Sequence, residues 1–529
     1  MIKNKNGKRR TFRRNLKPTM VIIFIPVLLA MFVFYYIFSD SFKAYLAQRG
    51  SERLITENWP VARDTLAAEQ PNYEPKNAYY KMKERQDLTW AAEHFGVSLA
   101  ELKKLNPGSI VYGTTIIVPP VQKPLSEEPN LSNSLGRAQV RVDKNGFIQV
   151  VNEFSNEEIN LTVPKLASLL ASQNAIEKVG DKHYRVLKPI YLLDNFRLDI
   201  TSDTVEKLEL YSGPDFDTTC LCFENSAILI KDVEITSYDP STKGPDTEHK
   251  DGRSFIRALK SSRMDVLNSR ITYLGEGLYD KNNRKPIMEN GGTYGISWRI
   301  PDGTLGSEIA TGWVENSTFE KNHFGAYTFG VSGMMWRGNT FVHNDVYGLD
   351  PHDDSNSATV VNNKFLENGK HGFIVSKRCN FNVIRNNISS GNKLHGFMLH
   401  QDSVHNLIEN NIAERNTDNF VIYASSFNAI RDNKSYDASG SHVRINESSK
   451  QNYVINNEFH GGNKGVYIYG NSLNVLVVGN KFANNKEAVV TRGARNVIIV
   501  DNFIRRVSYN ISPGDRVIFG PNDVNRSLQ

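Results

Sequence analysis

Between residues 347 and 402 the chain gathers side chains that can move protons and hold anions. Asp350-Pro351-His352-Asp353-Asp354-Ser355 sets one histidine among three carboxylates. Lys370-His371 follows, then Lys377-Arg378, then His395 and His400. Histidine titrates near neutrality and nearby carboxylates tune it, so a histidine flanked by three acids reads as part of a site. An arginine one turn on, Arg378, strengthens that reading. Pro351 removes a backbone donor and marks a local break in a strand, which can re-aim a side chain. A solvated surface needs no such cluster for stability.

The elements that must position these residues announce themselves as a repeat. Asparagines recur at 316, 339, 363, 387, 411, 433, 457, 480 and 502, spaced 22 to 24 residues apart, and Asn268 lies 48 before Asn316. Most are followed within two residues by an aromatic or aliphatic side chain, as in Asn339-Thr-Phe and Asn480-Lys-Phe. A second register puts Gly325, Gly348, Gly372, Gly396, Asn419, His442, Gly465 and Glu487 before apolar runs at the same spacing. One such turn cannot bury its apolar face alone, so turns must stack, and asparagines at matching positions can ladder their amides along the axis. The expected fold is all-β, a right-handed parallel β-helix over residues 185–510. A leucine-rich repeat has a compatible period, but its Leu-x-x-Leu-x-Leu signature is absent. Residues 137–184, with a helix expected at Val163–Ala171, form a leading cap, and 511–529 a tail or cap.

Aligning turns on the second register places the polar residues. Four residues past Gly295, Gly325, Gly348, Gly372 and Gly396 stand Arg299, Phe329, His352, Ser376 and His400. Six past the last three stand Asp354, Arg378 and Asp402. Alternate strand residues share a face and stacked strands lie about 4.8 Å apart, so His352 and Arg378 are expected about 8 Å apart at the backbone, within reach of one sugar ring.

The N-terminal part sets a different context. Eight basic residues and no acid precede residue 20, and they more than account for the net charge of +6, so the rest of the chain is slightly acidic and no general nucleic-acid binder. Val21–Phe38 is an uncharged stretch of eighteen residues, about 27 Å long as a helix, close to the hydrocarbon thickness. It is expected as a single-pass anchor with residues 1–20 cytoplasmic and the body extracytoplasmic; a cleaved secretory signal is the alternative. Residues 39–76 read as a stalk and 121–136 as a linker. Between them, 77–120 reads as strand, two short helices and strand. Gly96 ends the first helix, Ser98 caps the second, and Asn106-Pro107-Gly108 breaks it. The run Leu88-x-x-Ala91-x-x-x-Phe95-Gly96-Val97-Ser98 through Leu102-x-x-Leu105-Asn106-Pro107 looks like a LysM module, although Arg85-Gln86-Asp87 stands where a Gly-Asp-Thr turn is common. That resemblance implies binding of peptidoglycan or another N-acetylglucosamine glycan; a packing module without sugar binding is the alternative.

The residues around His352 also resemble a family. Tyr347-Gly348-Leu349-Asp350-Pro351-His352-Asp353-Asp354-Ser355 looks like the Asp-Pro-His-Asp motif of periplasmic mannuronan C5-epimerases. His371-Gly372-Phe373-Ile374-Val375-Ser376-Lys377-Arg378 is similar to that family's next turn. So are Arg253 to Ala258, Asn268 to Gly275 and Phe324 to Tyr327. The resemblance spans about residues 185–505. It implies that His352 removes the C5 proton of a mannuronate residue, that Arg378 neutralises its carboxylate, and that Asp350 and Asp353 orient the histidine or complete the site. Water would return the proton from the other face. Arg299, Lys370, His371, Lys377, His400 and Asp354 are candidates for adjacent polymer subsites. The implied partner is an anionic uronate polysaccharide, with an exopolysaccharide synthesis or export complex as a further partner at the membrane.

Other readings bound this one. A uronate lyase uses the same proton abstraction but then expels the 4-O-linked chain. A non-catalytic envelope glycan-binding solenoid would bind without turnover. A hydrolase is disfavoured, since Asp353-Asp354 alone make a weak carboxylate pair. A composition of 40% hydrophobic and 23% charged residues excludes a disordered chain and a multi-span membrane protein. Cys220 and Cys222 have no second cysteine pair to complete a zinc site and read as buried packing. No Asp-x-Asp-x-Asp-Gly loop marks a calcium site, although the surface is rich in Asp and Asn, and no cofactor is expected.

Overall fold

The computed structural model describes residues 73–525, apart from residues 85, 127–137, 154–156, 216, 280–285, 289–292, 302–307, 506 and 521. The anchor expected at 21–38 and most of the stalk lie outside these residues. Among the described residues no helix is long and apolar enough to cross a membrane.

Three long sheets of 15, 15 and 14 strands run the length of the main body as a parallel β-helix. Each turn contributes one strand to each sheet. The sheet that carries the catalytic candidates pairs, in order, Ile296–Arg299, Ala326–Phe329, Leu349–His352, Phe373–Ser376 and His395–His400. Its inward side chains, such as Ile296, Leu349, Phe373 and Phe397, are fully buried in one continuous core. Aromatic stacks within the core run from turn to turn, with Phe319, Phe341 and Phe365 rings about 5 Å apart. The corner glycines of the second register are there because backbones close on one another: a Cβ at Gly348 would meet the Gly372 carbonyl oxygen at 2.5 Å.

The asparagine ladder exists, and at its start it is one residue out of the register expected. Nδ2 of Asn339 donates to Oδ1 of Asn363, and the same bond repeats through Asn387, Asn411, Asn433, Asn457, Asn480, Asn502 and Asn522. At the leading end the rung is taken by Ser317 and Ser269, whose backbone N–H groups donate to the next rung. Asn316 and Asn268 sit one position earlier in the left-handed region, with φ of 50° and 48°. Asparagine tolerates that conformation at a corner, which gave it a period matching the ladder without belonging to it. Further ladders run through Asn344, Asn368, Asn392 and Asn416, and through Asn382, Asn406, Asn428 and Asn452.

The solenoid also extends past its expected limits. Ile148–Asn152 and Ile159–Thr162 already pair in parallel with Ile190–Leu193 and Phe196–Thr201, and at the far end Arg516–Phe519 and Asp523–Asn525 still join the sheets. The cap helix Val163–Leu169 buries Val163 and Leu166 in the core's open end. Short, weakly patterned terminal turns carry little periodic signal, which hid them.

Residues 78–118 form the small unit expected. Ala78–Lys81 pairs antiparallel with Thr115–Val118 around helices Leu88–Phe95 and Leu99–Leu105. Asp87 caps the first helix by accepting from the Trp90 N–H, and Gly96 ends it at φ 62°. Ser98 caps the second by accepting from the Glu101 N–H, and the Glu101 carboxylate accepts from Gln122. The unit packs on the β-helix through Arg263. This fully buried guanidinium pairs with Asp265 at 2.7 Å and donates to the carbonyls of Glu93, His94 and Lys123. His94 adds a 2.8 Å contact to the Ser261 carbonyl.

Candidate active site

The outer face of the sheet that carries His352 mixes polar side chains with an aromatic and aliphatic floor. On strand Leu349–His352, Leu349 and Pro351 point to the core while Asp350 and His352 point out, as strand alternation requires. His352 pairs laterally with Phe329 on one side and Ser376 on the other. Its ring lies 5.7 Å from the Tyr327 ring. Its Nδ1 is 2.5 Å from Asp353 Oδ2, a close contact but poorly directed for a hydrogen bond. Burial holds the His352 pKa below 6.5, with Asp353 opposing and Lys377 and Arg299 adding to the depression. The imidazole is therefore neutral at neutral pH, which is what a base must be.

Asp350 is fully enclosed. Burial pushes its pKa well above the usual carboxylate value, the Ser376 hydroxyl pulls it back, and Asp353 raises it further. Its Oδ1 has no hydrogen-bond partner. Asp350 thus favours the neutral carboxylic acid, a donor rather than a charge beside His352.

The geometry expected for Arg378 needs correction. Strand Phe373–Ser376 ends before it, and Lys377 and Arg378 turn a corner with φ of 63° and 56°. Asp353 and Asp354 are at the matching corner one turn earlier, also with positive φ. Strand alternation therefore does not govern Asp354 and Arg378. The arginine donates to Asp354 through Nε and Nη2 and to Asp353 through Nη2, at 2.8–3.2 Å. Asp354 is Arg378's partner rather than a free subsite group. Asp353 joins the whole cluster, with one oxygen toward His352 and the other toward Arg378. Half of the Arg378 side chain stays exposed, so a substrate carboxylate can reach it.

The remaining candidates divide. Arg299, half-buried, lies 5.5–5.7 Å from the ring centres of Tyr294, Tyr327 and Phe329, and no carboxylate among the described residues pairs with it. Two turns of about 4.8 Å separate it from His352 along the same column. Lys377 is exposed beside His352. His400 sits over Tyr423 with its ring 5.0 Å away, and burial, then His352 and Lys377, depress its pKa. Lys370 is half-buried. His371 is not an open subsite group: it is buried between Tyr347 and His395, with ring spacings of 4.8 Å on each side, and burial lowers its pKa well below 6.5.

Three features escaped the sequence. Tyr294 and Tyr327 stack at 3.7 Å to build the floor that cages Arg299. Farther along the same face, Arg444 reaches Asp418 at 2.9 Å and His395 Nε2 at 3.0 Å. Arg263–Asp265 fixes the small unit. The column alignment could have found the first two, because Tyr327 and Arg444 share the outward column of Asp350.

Comparison with known proteins agrees with this architecture. The family model described as a right handed beta helix region matches residues 254–413 and 352–504. A mannuronan C5-epimerase of Pseudomonas putida is 29% identical over 279 residues, 52% of this chain and 43% of the relative. One from Pseudomonas fluorescens is 28% identical over 142 residues, 26% of this chain and 25% of the relative. The chain thus spans less than half the length of the curated relatives it matches. A crystal structure of the periplasmic alginate epimerase AlgG superposes with a TM-score of 0.57 at 17% identity, over 87% of this chain and 96% of that one. The β-helix of this chain is related in sequence to the mannuronan C5-epimerases and shares the fold of the periplasmic alginate epimerase.

Proposed function

We propose that the chain epimerises β-D-mannuronate residues to α-L-guluronate within an alginate-like polymer. The observation that carries this reading is the His352–Asp353–Arg378 cluster: a neutral histidine and an exposed arginine share one carboxylate on the outer face of a stack related in sequence to such epimerases. The C5 hydrogen is adjacent to a carboxylate, and a carboxylate stabilises a developing carbanion poorly. Arg378 pairs the substrate carboxylate and lets electron density move onto its oxygens. The Asp353 charge beside Nδ1 favours the proton on that nitrogen and leaves Nε2 to take the C5 proton. Water returns a proton from the opposite face, and C5 is inverted. Arg299 and His400 share the column of His352, and Lys377 stands at the corner beside it, so a linear polyanion would lie parallel to the stack.

In this reading the chain is held by residues 21–38 with its catalytic body on the extracytoplasmic side. The 77–120 unit is a LysM module that retains the enzyme on envelope glycan near the polymer's synthesis or export machinery. Proton NMR of poly-mannuronate after incubation with the protein in deuterated buffer tests the chemistry. Guluronate signals should grow with deuterium at C5. Growth of 4,5-unsaturated uronate absorbance without guluronate would instead mean a lyase. For the anchor, full-length protein should stay in the membrane pellet after a high-salt wash, and a shortened soluble form would mean a cleaved signal.

A further inference from the structure

A second cluster of chemistry-bearing side chains lies at the corner that leads into the catalytic strand, apart from the groove. His323 and Asp345 come from adjacent turns, clamped side by side by backbone bonds from Asp345 N–H to the Asn322 carbonyl and from Val346 N–H to the His323 carbonyl. His249 comes from the segment between strands Glu234–Tyr238 and Phe255–Leu259, and its ring lies 5.4 Å from that of His323 with planes 28° apart. One donor atom from each of the three residues lies within 4.8 Å of the other two. His323 is 1% exposed, yet neither of its ring nitrogens has a hydrogen-bond partner; its nearest anion is Asp345, 3.8 Å from Nδ1. Burying a polar ring without partners costs free energy, and a bound cation that accepts its lone pair would remove that cost.

We propose that His249, His323 and Asp345 form a site for a divalent transition metal, zinc above all. Two imidazoles and one carboxylate are the donor set that suits zinc and its neighbours, whereas calcium and magnesium take oxygen ligands. Donors in a tetrahedral zinc site stand about 3.4 Å apart, so the three donor atoms draw together by up to about 1.4 Å on binding. Asp345 keeps 32% of its side chain exposed, which leaves a path for the ion and a place for water as the fourth ligand.

The support around Asp345 is what a ligating carboxylate needs. Arg253, fully buried, donates to the carbonyls of Gly275 and Lys321 and to Asp345 Oδ2 at 2.9 Å. A carboxylate accepts at several lone pairs, so one oxygen can hold the arginine while the other takes the metal. The site pins the His249 segment to the corner. Asp345 precedes Asp350 by only five residues, so the ion steadies the entry to the catalytic strand without touching substrate.

The test uses the purified full chain without a histidine tag, stripped with chelator and titrated with zinc chloride by calorimetry. One zinc per chain should bind, and Tm should rise as zinc is added. Cobalt(II) should give the visible absorption of a low-coordinate site. His249→Ala, on the loop, and His323→Gln should each weaken zinc binding by at least about 10–100-fold and abolish the Tm rise. If His323→Gln does not fold, His249→Ala alone decides. Absence of zinc binding in the wild type, unchanged binding in His249→Ala, or a preference for calcium would overturn the proposal.

Discussion

His352 sits where two opposing demands meet. A base must be unprotonated at working pH, yet a bare carboxylate neighbour would hold its proton on. Burial is the stronger influence, and it keeps the pKa below 6.5 against the pull of Asp353. The sign for catalysis follows: kcat/KM for epimerisation should be flat above neutrality on this limb and fall as pH drops through a value below 6.5. Measured on poly-mannuronate, a limb rising only above pH 7 would point to a different base. His352→Ala should cost about 10²–10⁴-fold in kcat and Arg378→Ala about 10²–10³-fold. Both side chains are on the outer face, so their circular dichroism should match the wild type. Full activity in both variants would move the site elsewhere on the face, with Arg299 the first place to look.

Between corners, a strand's two-residue period decides which side chains face out; at corners, left-handed residues decide. That difference explains how much of the site could be read in advance. His352 was legible as outward because it lies inside a strand, and the repeat spacing was enough to stack it on Phe329 and Ser376. Arg378 and Asp354 were legible as neighbours but not as a bidentate pair, since their φ values of 56° and 59° break the alternation. His371 looked like a groove cation because periodicity says nothing about a ring being sandwiched between two others. The ladder was read from spacing, but spacing cannot distinguish a rung from the corner residue beside it, as Asn316 shows. Asn387 is a rung: its amide donates to Val360 O and Asn411 Oδ1, and its oxygen accepts from the Asn363 backbone. Asn387→Ala leaves several buried polar groups unsatisfied, each costing about 1–3 kcal/mol. Chemical denaturation should show a loss in that range or above. A change below about 0.5 kcal/mol would mean that water replaces the amide.

At the scale of the molecule, the stack and the small unit are joined by buried charge. Arg263 and Asp265 are both fully buried. Beyond pairing with the arginine, Asp265 accepts from the backbone N–H groups of Leu125 and Trp313, so one ion pair ties the segment after the small unit to two turns of the helix. Such a pair adds little net stability over an apolar substitute, but removing one partner strands the other, at about 3–5 kcal/mol. A second influence acts in the same place: burial holds the His94 pKa down to about 3. A group whose folded pKa is depressed contributes stability that is present above its unfolded value and is lost as pH falls toward the folded one. The junction should therefore weaken from about pH 6.5 downward before the stack does, although His395 and His442, held at about 3 and 4 by burial, draw the stack the same way. Limited proteolysis reads the junction directly. In Arg263→Ala at neutral pH, cleavage between the small unit and the helix should be faster than in the wild type, while the helix fragment keeps its strand-rich spectrum. Lowering pH from 7 to 5 should accelerate the same cut in the wild type and less so in His94→Gln. Equal cleavage rates in wild type and Arg263→Ala would show that the unit is held by its apolar contacts, and that the buried pair only sets its orientation.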